Sequence, residues 1–142
     1  MFGKRNKSVD AVTKLRGVKF FEGFSDEDLA RVAELADDVE AEGGAVLMEQ
    51  GRVGQECFVI LDGHASVYVG EDHVETLAEG SMVGEMALVD HLPRVATVVA
   101  DTPMTLVAFD TRRFRMLLEE MPKAEERVLQ LLADRRKAKR AR

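Results

Sequence analysis

One cysteine, Cys57, and three scattered histidines are all that 142 residues offer in thiol or imidazole chemistry. A lone cysteine cannot close an internal disulfide. His64, His73 and His91 show no clustering with a carboxylate at ligand spacing, so nothing points to a metal centre. No serine or cysteine nucleophile stands near a plausible base, which argues against an enzyme. No apolar run approaches the roughly 20 residues of a membrane span, and the basic start, Met1 to Lys7, lacks the apolar segment of a secretory signal. These absences lead us to expect a soluble, cytoplasmic protein in a reducing environment. Cys57, set in the apolar run Cys57, Phe58, Val59, Ile60, Leu61, is expected to be a buried structural thiol. There is no internal repeat and no low-complexity linker. The length suits one domain, 1–142, large enough to bury a core unaided.

Positive charge is also missing where it matters. The two ends, residues 1–7 and 135–142, carry nine cations and no acid, so the formal net charge of -6 leaves -15 in between. Between Arg52 and Arg112 stand ten acids, and Arg94 is the only Lys or Arg. A guanidinium alone in an acidic, apolar stretch reads either as a surface ion pair or as an anion anchor, because its planar fork matches phosphate.

Ser25 with Asp28 three residues on reads as a helix start, flanked by Phe24 and Leu29 as a hydrophobic staple. Leu29, Val32, Ala33 and Ala36 continue it at helical spacing until Asp37 and Asp38, and a looser helical segment, Val9 to Leu15, precedes it. From about 38 to 110 the chain turns to short β-rich runs punctuated by glycine. Asp62-Gly63 reads as a two-residue hairpin turn, Gly70 to His73 as a second hairpin tip, and Asp101-Thr102-Pro103 as a turn between strands Arg94 to Ala100 and Met104 to Phe109. With no helix-length crossovers between them, such strands favour a closed barrel or a jelly roll over a parallel sheet. Helical spacing returns over about 111–140, capped by Asp110 or Thr111, carried by Phe114, Leu117, Leu118 and Met121, and broken by Pro122 into a hinge. Beyond it, Ala124, Val128, Leu131 and Leu132 share one face.

The segment from Gly84 to Thr97 carries the chemistry. Glycine admits close backbone approach, and a helical turn beginning at Glu85 would present amides to an anion. Arg94 supplies the charge, Pro93 fixes its approach, and the small Ala87 and Ala96 leave room for a ligand. Glu85 fits such a site as an acceptor for sugar hydroxyls that also orients Arg94.

Gly84, Glu85, Ala87, Leu88, then Pro93, Arg94, Ala96, Thr97 resemble the phosphate-binding cassette of cyclic-nucleotide-binding domains, found in protein kinase A regulatory subunits, cyclic-nucleotide-gated channels and catabolite activators. Gly51, Gly54, Phe58, Ile60, Gly63 and Val67 are similar too, so the resemblance spans roughly 20–130. It implies a mainly β fold, an eight-stranded jelly-roll β-barrel flanked by N-terminal helices (about 9–37) and C-terminal hinge and lid helices. It places Arg94 on the cyclic phosphate, with backbone amides of Met86, Ala87 and Val95. It places Glu85 and Gly84 at the ribose, and Val67, Met82, Val83, Ala96 and Thr97 along the base. Val95 offers no hydroxyl to guanine, so the implied ligand is cyclic AMP rather than cyclic GMP, with no cofactor and no metal. Aromatic residues end at Phe114, leaving Val128, Leu131, Leu132 or an arginine as the lid.

The implied function is a regulatory sensor that signals to a downstream protein effector by movement of its C-terminal helices. The alternative, for which Val95 is the argument, is an interaction scaffold of the same fold that has lost its ligand. The basic run Arg135 to Arg142 complements a helix C-terminus or contacts an anionic partner. Nothing resembles a helix-turn-helix after the strands, which disfavours sequence-specific DNA reading.

Overall fold

The computed structural model describes residues 11–54, 56–84 and 93–141. It begins with a short helix, α1 (Ala11–Arg16), a 3-10 turn at Lys19–Phe21, and α2 (Asp26–Leu35). Ser25 starts α2 by accepting from the Asp28 amide at 3.1 Å, which satisfies a donor the helix itself cannot. The helical stripe then buries Leu29, Val32 and Leu35. Within the described residues, the expected segment Val9 to Leu15 is the helix Ala11–Arg16.

Eight strands follow among the described residues: β1 (Asp37–Ala41), β2 (Val46–Met48), β3 (Glu56–Asp62), β4 (Ala65–Val69), β5 (Asp72–Leu77), β6 (Met82–Val83), β7 (Thr97–Ala100) and β8 (Met104–Asp110). They form two antiparallel sheets, β1-β8-β3-β6 and β2-β7-β4-β5. Among the described residues the two sheets do not close into a barrel, since no strand is paired into both.

Almost every successive strand changes sheet, and this corrects one turn. Asp62-Gly63 does not close a hairpin, because β3 pairs with β6 and β8 while β4 pairs with β5 and β7. Its role is to carry the chain across the sandwich. Gly63 has φ +92°, and a Cβ there would lie 2.6 Å from the Pro103 carbonyl oxygen, so both backbone angle and space require glycine. Asp101 to Pro103 likewise passes from β7 to β8 in the other sheet. Among the described residues only β4 and β5 form a hairpin, with Val69 opposite Asp72 across Gly70, as the second turn reading has it. The strand expected from Arg94 begins at Thr97.

Side-chain alternation divides the core in two. Phe58 and Ile60 of β3 and Leu106 and Ala108 of β8 point between the sheets, with Val39, Val67, Val83, Ala96 and Val98. Their neighbours Cys57, Val59, Val107 and Phe109 point the other way, onto Leu15, Phe21, Leu29, Phe114, Leu117 and Val128 of the helices. Cys57 is 0% exposed and in no disulfide, the buried thiol expected.

Asp110 caps α3 (Thr111–Glu120) by accepting from the Arg113 amide at 2.7 Å. Met121 is extended, with φ -128° and ψ 97°, as a residue before proline prefers. Pro122 then opens the long α4 (Pro122–Ala141), in the helix's first position, where its missing N–H costs nothing. No helix among the described residues is long and apolar enough to cross a membrane.

Candidate functional site

The strand crossings give the sandwich two unlike ends. At one, the links β1–β2, β3–β4, β5–β6 and β7–β8 are short. At the other lie the described parts of the two longer links, residues 49–54, Gly84 and 93–96. These longer links hold each other: the Gly51 amide donates to the Arg94 carbonyl and the Arg94 amide to the Arg52 carbonyl, both at 2.8 Å, and Val53 bridges Pro93. Gln50 adds a bond from its amide to Thr97 Oγ1 at 3.0 Å.

Arg94 therefore stands on a fixed backbone at the long-link end. Its side chain is half-buried. Nη1 donates to the Gly84 carbonyl at 3.0 Å and Nη2 to the Glu56 carbonyl at 2.6 Å. Two acceptors on two nitrogens fix the plane of the guanidinium as well as its place. Gly84, with φ +89°, has room for this only because it lacks a Cβ, which would sit 2.5 Å from Nη1. A charge held in this way, beside backbone and partly shielded from bulk water, can pair with an anion more strongly than a fully exposed one.

The residues expected around Arg94 are only partly brought together. Glu85, Met86, Ala87 and Leu88 lie outside the described residues. Gly84 is beside Arg94, and Val67, Val83 and Ala96 share the apolar space between the sheets. Thr97 is half-buried, with its hydroxyl occupied by the Gln50 amide. Val95, by contrast, is 75% exposed.

Met82, expected along the base, packs apart from Val67, Val83 and Ala96. It follows the alternation of β6 onto the helix side, opposite to Val83, and borders a cavity of about 660 Å³ among Lys19, Glu75, Glu79, Arg127 and Gln130. Val128 is buried in the helix-side core, so in this arrangement it does not cover the space between the sheets. The side chains of Leu131 and Leu132 lie outside the described residues.

Two features escaped the sequence. The carbonyl of Glu56 leaves no signature in side chains. Arg127 of α4 donates to the carbonyls of Lys19 and Phe20 through Nη1 and of Glu22 through Nη2. It also lies 5.8 Å from the Phe24 ring centre, while Lys123 Nζ donates to the Gly23 carbonyl at 2.9 Å. The i, i+4 spacing of Lys123 and Arg127 was the available signal: it places two cations on one helix face.

This fold has known counterparts. The family model for the cyclic nucleotide-binding domain matches residues 38–121, and the chain belongs to that family. It is 31% identical over 107 residues to the cAMP-dependent protein kinase type II regulatory subunit of Drosophila melanogaster, covering 75% of this chain and 28% of that protein. It is 36% identical over 93 residues to a cyclic nucleotide-gated potassium channel of Rhizobium etli, covering 66% and 26%. The chain thus spans about a quarter of the length of these curated relatives. Among solved structures it is similar to the catabolite activator protein of Thermus thermophilus (TM-score 0.76, 25% identity, 84% of this chain and 59% of that one). It is also similar to a cyclic nucleotide-binding domain from Methylobacillus flagellatus (TM-score 0.72, 25% identity, 91% and 78%).

Proposed function

We propose that this chain is a regulatory sensor domain that binds cyclic AMP at Arg94, between its two sheets, and reports occupancy through its C-terminal helices. The observation that carries this reading is the half-buried guanidinium of Arg94, held by the carbonyls of Gly84 and Glu56. In this reading Arg94 takes the cyclic phosphate with the amides of Met86, Ala87 and Val95, and Glu85 with Gly84 takes the ribose. Val67, Val83 and Ala96 line the base; Met82 is left out because it faces the helices. Val95 brings no hydroxyl to a guanine, which favours cyclic AMP over cyclic GMP. No cofactor or metal is required.

The alternation of successive strands between sheets supports a jelly roll, and residues 1–142 are read as one such domain. Signalling requires that ligand prefer one position of α4 over another, and a few kcal/mol of preference suffices. The helix break at Met121 and Pro122 is the natural pivot. The output partner is a protein effector, as the kinase subunit and channel among the relatives suggest.

Calorimetry with cyclic AMP on wild type and Arg94→Ala tests the reading. Removing one member of a desolvated charge pair costs about 3–5 kcal/mol, or about two to three and a half orders of magnitude in affinity. Equal affinity in the two proteins would refute the anchor. The exposure of Val95 favours the second reading, a scaffold that binds a protein and no nucleotide. A thermal-shift screen with cyclic mononucleotides separates the two, since ligand at 100 times its dissociation constant stabilises by about 2.7 kcal/mol.

A further inference from the structure

Gly54 lies on the link between β2 and β3, opposite the guanidinium of Arg94. A Cβ built at Gly54 would collide with Cζ, Nε and Nη2 of Arg94, and those three are its nearest neighbours. The backbone gives no reason for glycine here. Gly54 is not among the glycines of positive φ, so an alanine would meet no left-handed strain. Space is therefore the reason, and the space is filled by a functional side chain. Gly63 and Gly84 differ from it, because both have positive φ and both meet main-chain oxygen atoms.

We infer that Gly54 is a positioning residue: its missing side chain is the berth that lets the Arg94 guanidinium lie flat against the chain and reach the carbonyls of Glu56 and Gly84 together. A methyl at 54 cannot coexist with that placement. The flexible end of an arginine yields more readily than backbone, so the guanidinium leaves, and the two carbonyls lose the cation that satisfies them. The berth thus sets where the phosphate anchor sits. This rests on the anchor role proposed for Arg94, but the berth itself is a property of the protein without ligand.

The test is a double-mutant cycle with Gly54→Ala and Arg94→Ala, read by two measurements. In thermal denaturation without nucleotide, Gly54→Ala lowers the melting temperature of the wild type. In the Arg94→Ala background the same change leaves the melting temperature unaltered or raises it, since alanine at a compatible backbone position restricts the unfolded chain. Equal lowering in both backgrounds overturns the berth. Should Gly54→Ala alone fail to fold, the double variant is expected to fold, and its failure also overturns the inference.

In calorimetry with cyclic AMP, Gly54→Ala weakens binding at least about tenfold, or 1.4 kcal/mol, and adds nothing to the loss caused by Arg94→Ala. Undiminished affinity in Gly54→Ala overturns the positioning role. If wild type binds no cyclic nucleotide, the sensor reading fails, while the melting cycle still decides the berth.

Discussion

Arg127 and Phe20 are 107 residues apart in sequence, yet the guanidinium of one donates to the carbonyl of the other at 2.5 Å. With the Lys19 and Glu22 carbonyls as further acceptors, one side chain of α4 satisfies the end of the 3-10 turn. It ties α4 to the first part of the chain, beyond the helix break at Pro122.

Arg127→Ala is expected to free α4 from this turn. Hydrogen bonds to a charged group contribute about 1.5–3 kcal/mol when buried, and the half-exposed setting reduces the total, so a loss of about 2 kcal/mol in urea denaturation is expected. Hydrogen exchange gives the sharper readout: amides of α4 lose protection while those of β3 and β8 keep theirs. Unchanged protection in α4 would remove Arg127 from any role in holding it.

Gly63→Ala combines a left-handed backbone with a collision against the Pro103 carbonyl. Gly44 makes a control, since it has φ +90° with nothing within 4 Å of its virtual Cβ. Strain alone at such a position costs about 1–3 kcal/mol, so Gly44→Ala is expected near the low end and Gly63→Ala at or above the high end. Equal midpoints in chemical denaturation would contradict the crowding at the crossing.

Arg31 on α2 grips Glu120, the last residue of α3, through both carboxylate oxygens at 2.8 Å. The hydrogen bonds from Arg31 hold the Glu120 carboxyl below its ordinary pKa, while Glu120 and then Glu34 push the arginine further up. A lowered carboxylate stabilises the fold above its unfolded pKa of about 4.3, and that contribution is lost as pH falls through the lower folded value. The melting-temperature difference between wild type and Glu120→Gln should accordingly be flat from neutral pH into mild acid and then vanish. With side chains 35% and 40% exposed, the effect is small and shrinks in high salt. A difference that grows in acid would contradict the assignment.

Cys57 should be silent to thiol reagents in the folded protein, because it is 0% exposed beneath the helices. Full labelling is expected only in denaturant, with native-state labelling limited by global opening. Rapid modification under native conditions would show that the helix layer opens on its own.

Caps and breaks were legible where a side chain made them. Ser25, Asp110 and Pro122 each act on backbone within a few residues, so the sequence shows cause and effect together. Arg94 was legible for another reason: its charge is isolated among acids. The Asp62-Gly63 turn was misread because its residues suit a tight hairpin equally well. What sends β4 to the other sheet is its pairing with β7, a contact between residues 29 to 35 positions apart. The packing of Met82 on the helix side was not legible for the same kind of reason. A two-residue strand carries no visible alternation, and only its pairing with Phe58 and Val59 decides which side chain faces the helices.

The short crossings also touch one another. The His64 amide donates to Thr102 Oγ1, the Asp101 amide to the His64 carbonyl, and the Ser66 hydroxyl to the Asp101 carboxylate at 2.7 Å. That edge of the sandwich behaves as the spine of a book, riveted at several points. The fore-edge is clasped differently: there the Arg94 guanidinium, reaching from the link before β7, holds the Gly84 and Glu56 carbonyls of the facing sheet, so one side chain does there what several share at the spine.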